Sequence, residues 1–242
     1  MLSIGADNPG MEKRRVGIAG KPVGRALAAA LLLVLVLWPP VAPARPGHLF
    51  GYGETENDNL APFAKWNGML KRYFADARRE LAEGRNRPGG CEESFFNVCH
   101  YAEWTSLIER LRGRGLMEQL RAVNAHMNEA PYITDPRNWG VPDYWATPAE
   151  FFEKDGDCED YAIAKYLTLR RLGVPANRMR IVVLQDMNLR VGHAVLAVYD
   201  DNAVYILDNQ ISEVVEDTAI RHYRPLYSIN EAAWWLHTPP RG

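Results

Sequence analysis

The sequence lacks several features that mark other functional classes. Of its 28 basic and 30 acidic residues, five basic and two acidic lie in the first 44 positions, which leaves 23 basic against 28 acidic residues. This mildly acidic body has no basic run, so nothing indicates a nucleic-acid partner. P-loop, dinucleotide-binding and HExxH patterns are missing, which argues against nucleotide and zinc chemistry. The composition, 47% hydrophobic and 24% charged, excludes a disordered, collagenous or multi-span membrane chain.

No apolar run reaches the roughly 20 residues that span a bilayer comfortably. The run from Ala26 to Trp38 has 13 residues, follows basic residues 13–15 and precedes an A-x-A pattern that ends at Ala44. We therefore predict a secretory signal peptide over residues 1–44, with an uncleaved N-terminal anchor as the alternative and Met11 as an alternative start. The folded domain, residues 45–242, is expected outside the cytoplasm with no membrane span after cleavage.

Cysteine is scarce, with three residues in the chain. In an oxidising compartment cysteines tend to pair, so an odd number leaves one thiol to be explained. Cys91 and Cys99 lie close together and are predicted to form a local disulfide, with two free buried thiols as the alternative. Cys158 is the single thiol.

Apolar residues recur at helical spacing in the first half of the chain. They predict helices over 62–84, 104–111 and 116–127. The proline-rich segment Tyr132 to Pro148 is interpreted as an ordered loop laid over the surface. Another helix is predicted from Asp157-Cys158 through Leu172, because Asp is a good N-cap and Gly173 supplies the stop.

The second half changes to β-branched and aromatic runs typical of strands. They cover 180–185, 192–199, 203–207 and, as a weaker signal, 226–229. Helices first and an antiparallel meander afterwards indicate an α+β fold. We expect N-terminal helices, with the helix of Cys158 packed on an antiparallel sheet.

Cys158 is predicted at a helix N-terminus, where free N–H groups and the helix dipole favour a thiolate. His193, on a predicted strand, supplies an imidazole. If residues 200–203 close the hairpin with an even loop, opposed positions sum to 403, and His193 and Asp208 become diagonal neighbours on one face. A nucleophile on a helix with its base and orienting acid on strands is the arrangement of papain-like and transglutaminase-like enzymes.

Three acids beside the thiol oppose its ionisation. Asp157, Glu159 and Asp160 surround Cys158, and one carboxylate at ~6 Å costs a thiolate roughly 2–3 kcal/mol at an effective dielectric of ~20. Three hard oxygen donors this close predict a Ca²⁺ site that would reverse the local field. Simple capping of the helix dipole is the alternative.

Each member of the set also has a structural interpretation: core filler for the cysteine, a satisfied strand residue for the histidine and a turn former for the acid. Their joint fit favours catalysis. Two other histidines compete poorly, because His126 falls on the third helix and His237 in a C-terminal tail.

The motifs resemble the bacterial transglutaminase-like cysteine proteinase family. The resemblance covers roughly 91–235 and is carried by D-Y-W-A-T-P-A-E-F at 143–151, G-D-C-E-D-Y-A-I-A-K-Y at 156–166, G-H-A-V-L at 192–196 and L-D-N at 207–209. Ala194 is a small departure, since many relatives have a larger apolar residue there.

The resemblance implies Cys158 as nucleophile, His193 as base and Asp208 as orienting acid. It implies Asp157, Glu159 and Asp160 as calcium ligands. The Cys158 N–H is then an oxyanion donor, and Trp145 lines that site or is packing. Relatives of this kind are periplasmic proteases that clip large surface adhesins and so control biofilm attachment, and an inner-membrane cyclic-di-GMP receptor sequesters them.

Three alternatives stay open on the same residues. They are a transglutaminase-type acyl transferase, a peptidoglycan amidase or peptidase, and a non-catalytic calcium-stabilised binding module. Fold and triad do not specify the substrate.

Overall fold

The computed structural model describes residues 48–82, 101–201 and 203–240. The predicted signal peptide, its cleavage site and the Cys91–Cys99 pair lie outside the described residues. Within the described part, no helix has the length and apolar character needed to cross a membrane.

The helices precede most of the sheet, as the apolar periodicity predicts. Their bounds are α1 Ala64–Ala82, α2 Tyr101–Leu111, α3 Leu116–Met127, α4 Asp135–Asn138, α5 Pro148–Lys154 and α6 Cys158–Arg171. Helix α6 ends at Arg171 with Leu172 as its C-cap, and the next residue, Gly173, has a φ of +97°, the left-handed conformation that glycine adopts without strain. The N–H groups of Gly173 and Val174 then return to the carbonyls of Arg170 and Leu169.

Seven antiparallel strands form one sheet in the order β1-β7-β6-β2-β3-β4-β5. Their bounds are β1 Gly53–Asn57, β2 Met179–Asp186, β3 Val191–Tyr199, β4 Val204–Leu207, β5 Val215–Glu216, β6 Tyr223–Ile229 and β7 Trp234–Thr238. The predicted antiparallel meander is confirmed for β2 to β4, and the weaker strand signal at 226–229 is confirmed as part of β6, which pairs with the free side of β2. Strand β5 was not predicted.

Helix α6 is buried on all sides from Asp160 to Leu169. A helix that is covered all round lies in the core rather than at the surface. Its apolar residues share one core with α1 to α3, α5 and one face of the sheet, whereas the alternate residues of β2 to β4 form a second core on the other face. The start of α6 is thereby fixed against β3.

Two local interpretations are corrected by the structure. The segment Tyr132 to Pro148 is not laid over the surface throughout, because it contains α4 and buries Asp135, Trp145 and Thr147. His237 does not lie in a tail: it is buried on β7, pairs in register with Glu54 of β1, and its Nε2 lies 2.9 Å from Oγ of Ser228.

Candidate active site

The turn that starts α6 places the single thiol of the described residues at the first helical position. Asp157 is the N-cap, and its backbone N–H donates to Oδ2 of Asp160 at 3.3 Å. The chain can make this turn only because residue 156 is glycine, since a Cβ there would lie 2.6 Å from the Cβ of Asp160. The turn therefore holds Cys158 in a fixed place.

The sulfur of Cys158 lies against strand β3. The backbone N–H of Ala194, the residue that follows His193, acts there to lower the pKa of the thiol. Strand β4 ends at Leu207, which pairs with Leu196, so no strand residue opposes Ala194 on that side. Ala194, whose N–H acts on the thiol, and His193, which carries the imidazole, are thus adjacent residues at the open end of the β3–β4 ladder.

The predicted register is confirmed. Leu196 opposes Leu207, and the turn closes with a hydrogen bond from Asp200 N–H to the Ala203 carbonyl. As the parity argument requires, His193 and Asp208 meet, with 2.9 Å between Nε2 and Oδ1. Both are buried, at 3% and 1% exposure.

Asp208 has hydrogen-bond donors on both of its carboxylate oxygens. The backbone N–H of Gln210 also donates to Oδ1 at 2.9 Å, and the hydroxyl of Tyr223 donates to Oδ2 at 2.6 Å. Burial alone would raise the pKa of Asp208, but the hydrogen bond and charge of His193, helped by Tyr223 and Gln210, hold the pKa below its usual value. The acid is therefore ionised at neutral pH.

The hydrogen bonds assign the tautomer of His193. A carboxylate only accepts, so Nε2 carries the proton that faces Asp208, and Nδ1 keeps the lone pair when the ring is neutral. The side-chain amide of Gln210 lies 3.4 Å from Nδ1. The register in which opposed positions sum to 403 also puts Gln210 opposite His193. It gives no sign of Tyr223, which comes from β6 and has no sequence spacing that relates it to Asp208.

Acids dominate the electrostatics around the thiol. The thiol of Cys158 donates to Oε2 of Glu159, with 3.2 Å between the sulfur and the oxygen. Burial, followed by the negative fields of Glu159 and Asp157, raises the pKa of Cys158 above its usual range, and the N–H of Ala194 opposes this. Burial and Asp157 likewise raise the pKa of Glu159. Without a compensating positive charge, the thiol stays protonated.

A fourth and a fifth acid join the three predicted from sequence. Ligand oxygens of Asp135, Asp157 and Asp160 lie within 4.8 Å of one another, as do those of Asp135, Asp143 and Glu159. Asp135 is 1% exposed. Asp135 and Asp143 come from the 132–148 loop, so nothing in the helix spacing around Cys158 could reveal them.

The acidic cluster has the properties of a cation site. Oδ1 of Asp135 and Oδ1 of Asp157 are buried without a hydrogen-bond partner among the described residues. An unpaired buried carboxylate oxygen is costly unless a cation or a proton compensates it. All donors are hard oxygens, the set that Ca²⁺ prefers. The residues present therefore fit a bound calcium ion.

The D-Y-W-A-T-P-A-E-F motif anchors the cluster rather than entering the chemistry. Ala146 N–H donates to Oδ1 of Asp160 at 2.7 Å, and Arg72 of α1 binds both Glu150 and the Trp145 carbonyl. Trp145 itself is 8% exposed and packs edge-on against Trp66, with ring centroids 6.3 Å apart. This position corresponds to the packing alternative for Trp145.

Tyr132 is a further residue at the site that sequence reasoning did not single out. It bridges to Gly156, and its ring stacks on Tyr161 with centroids 6.4 Å apart. Burial and the nearby negative charges of Asp157 and Glu159 raise the pKa of its hydroxyl, and the backbone N–H of Cys158 opposes this. The side chain is 55% exposed, so it borders the thiol on the solvent side.

With this geometry in place, comparison with known proteins assigns the chain. Residues 91–238 match the family described as bacterial transglutaminase-like cysteine proteinase, BTLCP. The chain belongs to this family. The protein is therefore a cysteine peptidase of the transglutaminase-like type, as the motifs predict. No curated protein matches the sequence significantly.

The chain is also similar to solved structures of one bacterial protein. LapG of Legionella pneumophila is 37% identical, with a TM-score of 0.51, over 55% of this chain and 76% of LapG. Its calcium-bound structure gives 37% identity and a TM-score of 0.52 over the same shares. The EGTA-treated structure gives 36% and 0.52 over 57% and 75%. The predicted α+β fold is confirmed.

Proposed function

We propose that this BTLCP member is a calcium-dependent periplasmic endopeptidase that uses Cys158, His193 and Asp208 as a catalytic triad. One observation carries the proposal. The start of α6 packs against β3, where the backbone N–H of Ala194 acts to lower the pKa of the Cys158 thiol, and the adjacent residue, His193, carries an imidazole that lies 2.9 Å from a buried carboxylate. A nucleophile, a base and an orienting acid in this order are what thiol acyl transfer requires.

In the first half of the reaction, Nδ1 of His193 takes the thiol proton and the sulfur attacks the peptide carbonyl carbon. The C–S bond forms as the carbonyl π pair moves onto oxygen. When this tetrahedral intermediate collapses, the C–N bond breaks and the imidazolium gives its proton to the leaving amine. Asp208 stabilises the imidazolium without taking its proton.

In the second half, the thioester is hydrolysed. His193 takes a proton from water as the hydroxide oxygen bonds to the acyl carbon, and the C–S bond then breaks. The proton returns to the sulfur and a carboxylic acid is released. An amine in place of water would complete a transferase reaction with the same residues.

Calcium is assigned to the acidic cluster of Asp135, Asp143, Asp157, Glu159 and Asp160. The predicted ligands Asp157, Glu159 and Asp160 are part of it. A bound dication there would supply positive charge beside the thiol and tie the 132–148 loop to α6. The orphaned oxygens of Asp135 and Asp157 and the calcium-bound structure of LapG support this assignment.

The natural substrate is proposed to be a large surface adhesin clipped near its N-terminus, which links the protein to biofilm attachment. An inner-membrane cyclic-di-GMP receptor is the proposed sequestering partner. The likeness to LapG, at 37% identity, and the predicted signal peptide support both proposals.

The substrate proposal is tested by incubating the purified protein, with calcium, with the N-terminal region of a large repeat-rich secreted protein from the same genome. We expect one defined cleavage, absent with the Cys158→Ala variant. Parallel reactions with purified sacculi and with a labelled amine test the peptidoglycan and transferase alternatives. Cleavage by Cys158→Ala would end the triad assignment.

Excess EGTA tests the calcium proposal. We expect most activity to be lost and to return on adding Ca²⁺, because the acids next to the thiol then oppose its ionisation. Full activity in EGTA would refute the calcium site and leave the triad untouched.

A further inference from the structure

Strand β3 continues past the end of its partner β4. In an antiparallel ladder every second residue turns its N–H and C=O towards a given neighbour. The Asp200 N–H donates to the Ala203 carbonyl, and the registers of β3 hold without a shift, so the even-numbered residues of β3 face β4. The ladder stops at Leu196. The backbone groups of Ala194 and Gly192 therefore face a gap beside β3.

The chain that follows β4 borders this gap without filling it. The side-chain amide of Asn124 on α3 donates to the carbonyls of Ile211 and Ser212, which draws this segment towards α3. Gln210, at the border, has an exposed side chain. Gly192 is exposed too, and no described residue bonds to its N–H or C=O across the gap. Free backbone groups along a strand edge are a template for an added strand.

Nothing in the described fold requires glycine at position 192. The φ of Gly192 lies outside the left-handed region, and a Cβ built there would meet no described atom within 4 Å. Glycine weakens a strand relative to alanine or valine, and inside a strand it marks places where another backbone approaches closely. A Cβ here would point to the face of Ala194 and Leu196, where Leu196 shares a core with α6. The glycine therefore keeps space open on the α6 side of β3.

We infer that an extended segment of the substrate adds as a strand to the open side of β3 and pairs its backbone with Gly192. The inference rests on the proposed function, which supplies a protein substrate. A substrate N–H donates to the Gly192 carbonyl, and a substrate carbonyl accepts from the Gly192 N–H. Because the next residue is His193, whose imidazole lies 2.9 Å from the carboxylate of Asp208, the added strand passes the proposed base.

Backbone pairing selects the conformation of the substrate more than its side chains. The segment that binds must be extended, with main-chain groups that are not already paired. A linker between folded domains meets this condition, whereas a helix or a paired strand has its N–H and C=O groups occupied. Proline at the residue that donates to Gly192 has no N–H and should prevent cleavage.

Two esters separate substrate pairing from the chemistry of the thiol. The acyl part of p-nitrophenyl acetate has no backbone amide, whereas the p-nitrophenyl ester of acetyl-trialanine has amides that can join a strand. For Gly192→Val, with calcium present, we expect kcat/KM for the peptide ester to fall about tenfold or more. For p-nitrophenyl acetate it should stay at the level of the unmodified protein. Thermal unfolding should occur at the same or a higher temperature, because valine favours a strand.

Depsipeptide analogues of the peptide ester, each with one amide N–H replaced by oxygen, test the pairing itself. In the unmodified protein, removing the donor to the Gly192 carbonyl should lower kcat/KM about tenfold. In Gly192→Val this penalty should disappear, because the pairing is already lost. Val191→Ile is the matched control. It adds one methyl group to the neighbouring residue, whose side chain points to the other face, and it should leave the ratio of the two ester rates unchanged.

The other outcomes overturn the inference. Unchanged hydrolysis of the peptide ester by Gly192→Val means that no substrate strand lies against Gly192, and equal loss with both esters means that the change acts on the triad. A depsipeptide penalty that is absent, or equal in the two proteins, means that the substrate backbone is not paired there. If Gly192→Val unfolds at a lower temperature, Gly192→Ala repeats the comparison with a single methyl group and the same expected direction. The proposed function fails separately, if Cys158→Ala hydrolyses p-nitrophenyl acetate as fast as the unmodified protein.

Discussion

Replacing Asp208 by Asn should slow the enzyme far less than replacing it by Ala. Oδ1 of Asp208 accepts from both His193 Nε2 and Gln210 N–H, each at 2.9 Å. In Asp208→Asn the amide oxygen must take this position, because the amide NH₂ cannot accept from two donors. The NH₂ then faces the Tyr223 hydroxyl, which can rotate to accept. The tautomer of His193 is therefore retained.

The expected loss follows from the missing charge. An imidazolium and a carboxylate whose charge centres are about 4 Å apart attract by about 4 kcal/mol at an effective dielectric of 20. A neutral acceptor keeps roughly half of a charge-assisted bond, so Asp208→Asn loses about 2 kcal/mol, or about 30-fold in kcat/KM. Reversal of the tautomer would instead cost about 10⁴-fold.

Asp208→Ala should lose about 10³-fold or more, because it also leaves the donors of His193, Gln210 and Tyr223 without an acceptor. Steady-state hydrolysis of p-nitrophenyl acetate, with calcium, measures all three proteins. Unchanged activity in Asp208→Ala, or Asp208→Asn as slow as Asp208→Ala, would refute this account of the acid.

Three further predictions concern stability. Gly156→Ala should lower the unfolding free energy by about 1–3 kcal/mol and weaken activity, because the new Cβ meets the side chain of Asp160. Gly68→Ala is the control: the atom nearest to its new Cβ is 3.8 Å away, so it should not destabilise the protein in thermal unfolding. The pKa of Asp208 is lower in the folded protein than in the unfolded chain. The ionised carboxylate therefore stabilises the fold above the unfolded pKa of about 3.9, and this stabilisation is lost as pH falls through the folded pKa. The difference in unfolding free energy between the unmodified protein and Asp208→Asn should shrink below about pH 4, and a constant difference would contradict this. Glu54→Gln breaks the buried ion pair between Glu54 and Arg180, whose charged atoms lie 2.8 Å apart. It should lower the unfolding free energy by about 3–5 kcal/mol, while the folded fraction keeps its specific activity. Unchanged denaturant unfolding would show that the pair contributes little.

Local rules predicted the parts of the site that depend on short-range order. Helix capping placed Cys158 at the start of α6, and the even hairpin loop fixed which face of the sheet carries His193 and Asp208. Both rest on neighbouring residues, so periodicity and parity were enough.

Long-range contacts explain what the sequence could not show. Asp135 reaches the acidic cluster because Ile133 N–H binds the Gly156 carbonyl, a pairing that no spacing indicates. Strand β1 has a polar sequence and forms only by pairing with β7, so β1 was missed and His237 was placed in a tail. Strand β1 depends on a partner more than 170 positions away, from Gly53 to Thr238, whereas β7 also pairs with its sequence neighbour β6.

Catalysis as proposed requires that His193 activate the thiol of Cys158, and the rate of alkylation of this thiol by iodoacetamide at pH 7 tests this most directly. With calcium present, and with the modified cysteine located by peptide mass spectrometry, we expect fast and selective labelling of Cys158. In His193→Ala the rate should fall by about tenfold or more, because a free thiol with a pKa near 8.5 is only a few per cent thiolate at that pH. Equal rates in the two proteins, or no preference for Cys158, would contradict the account.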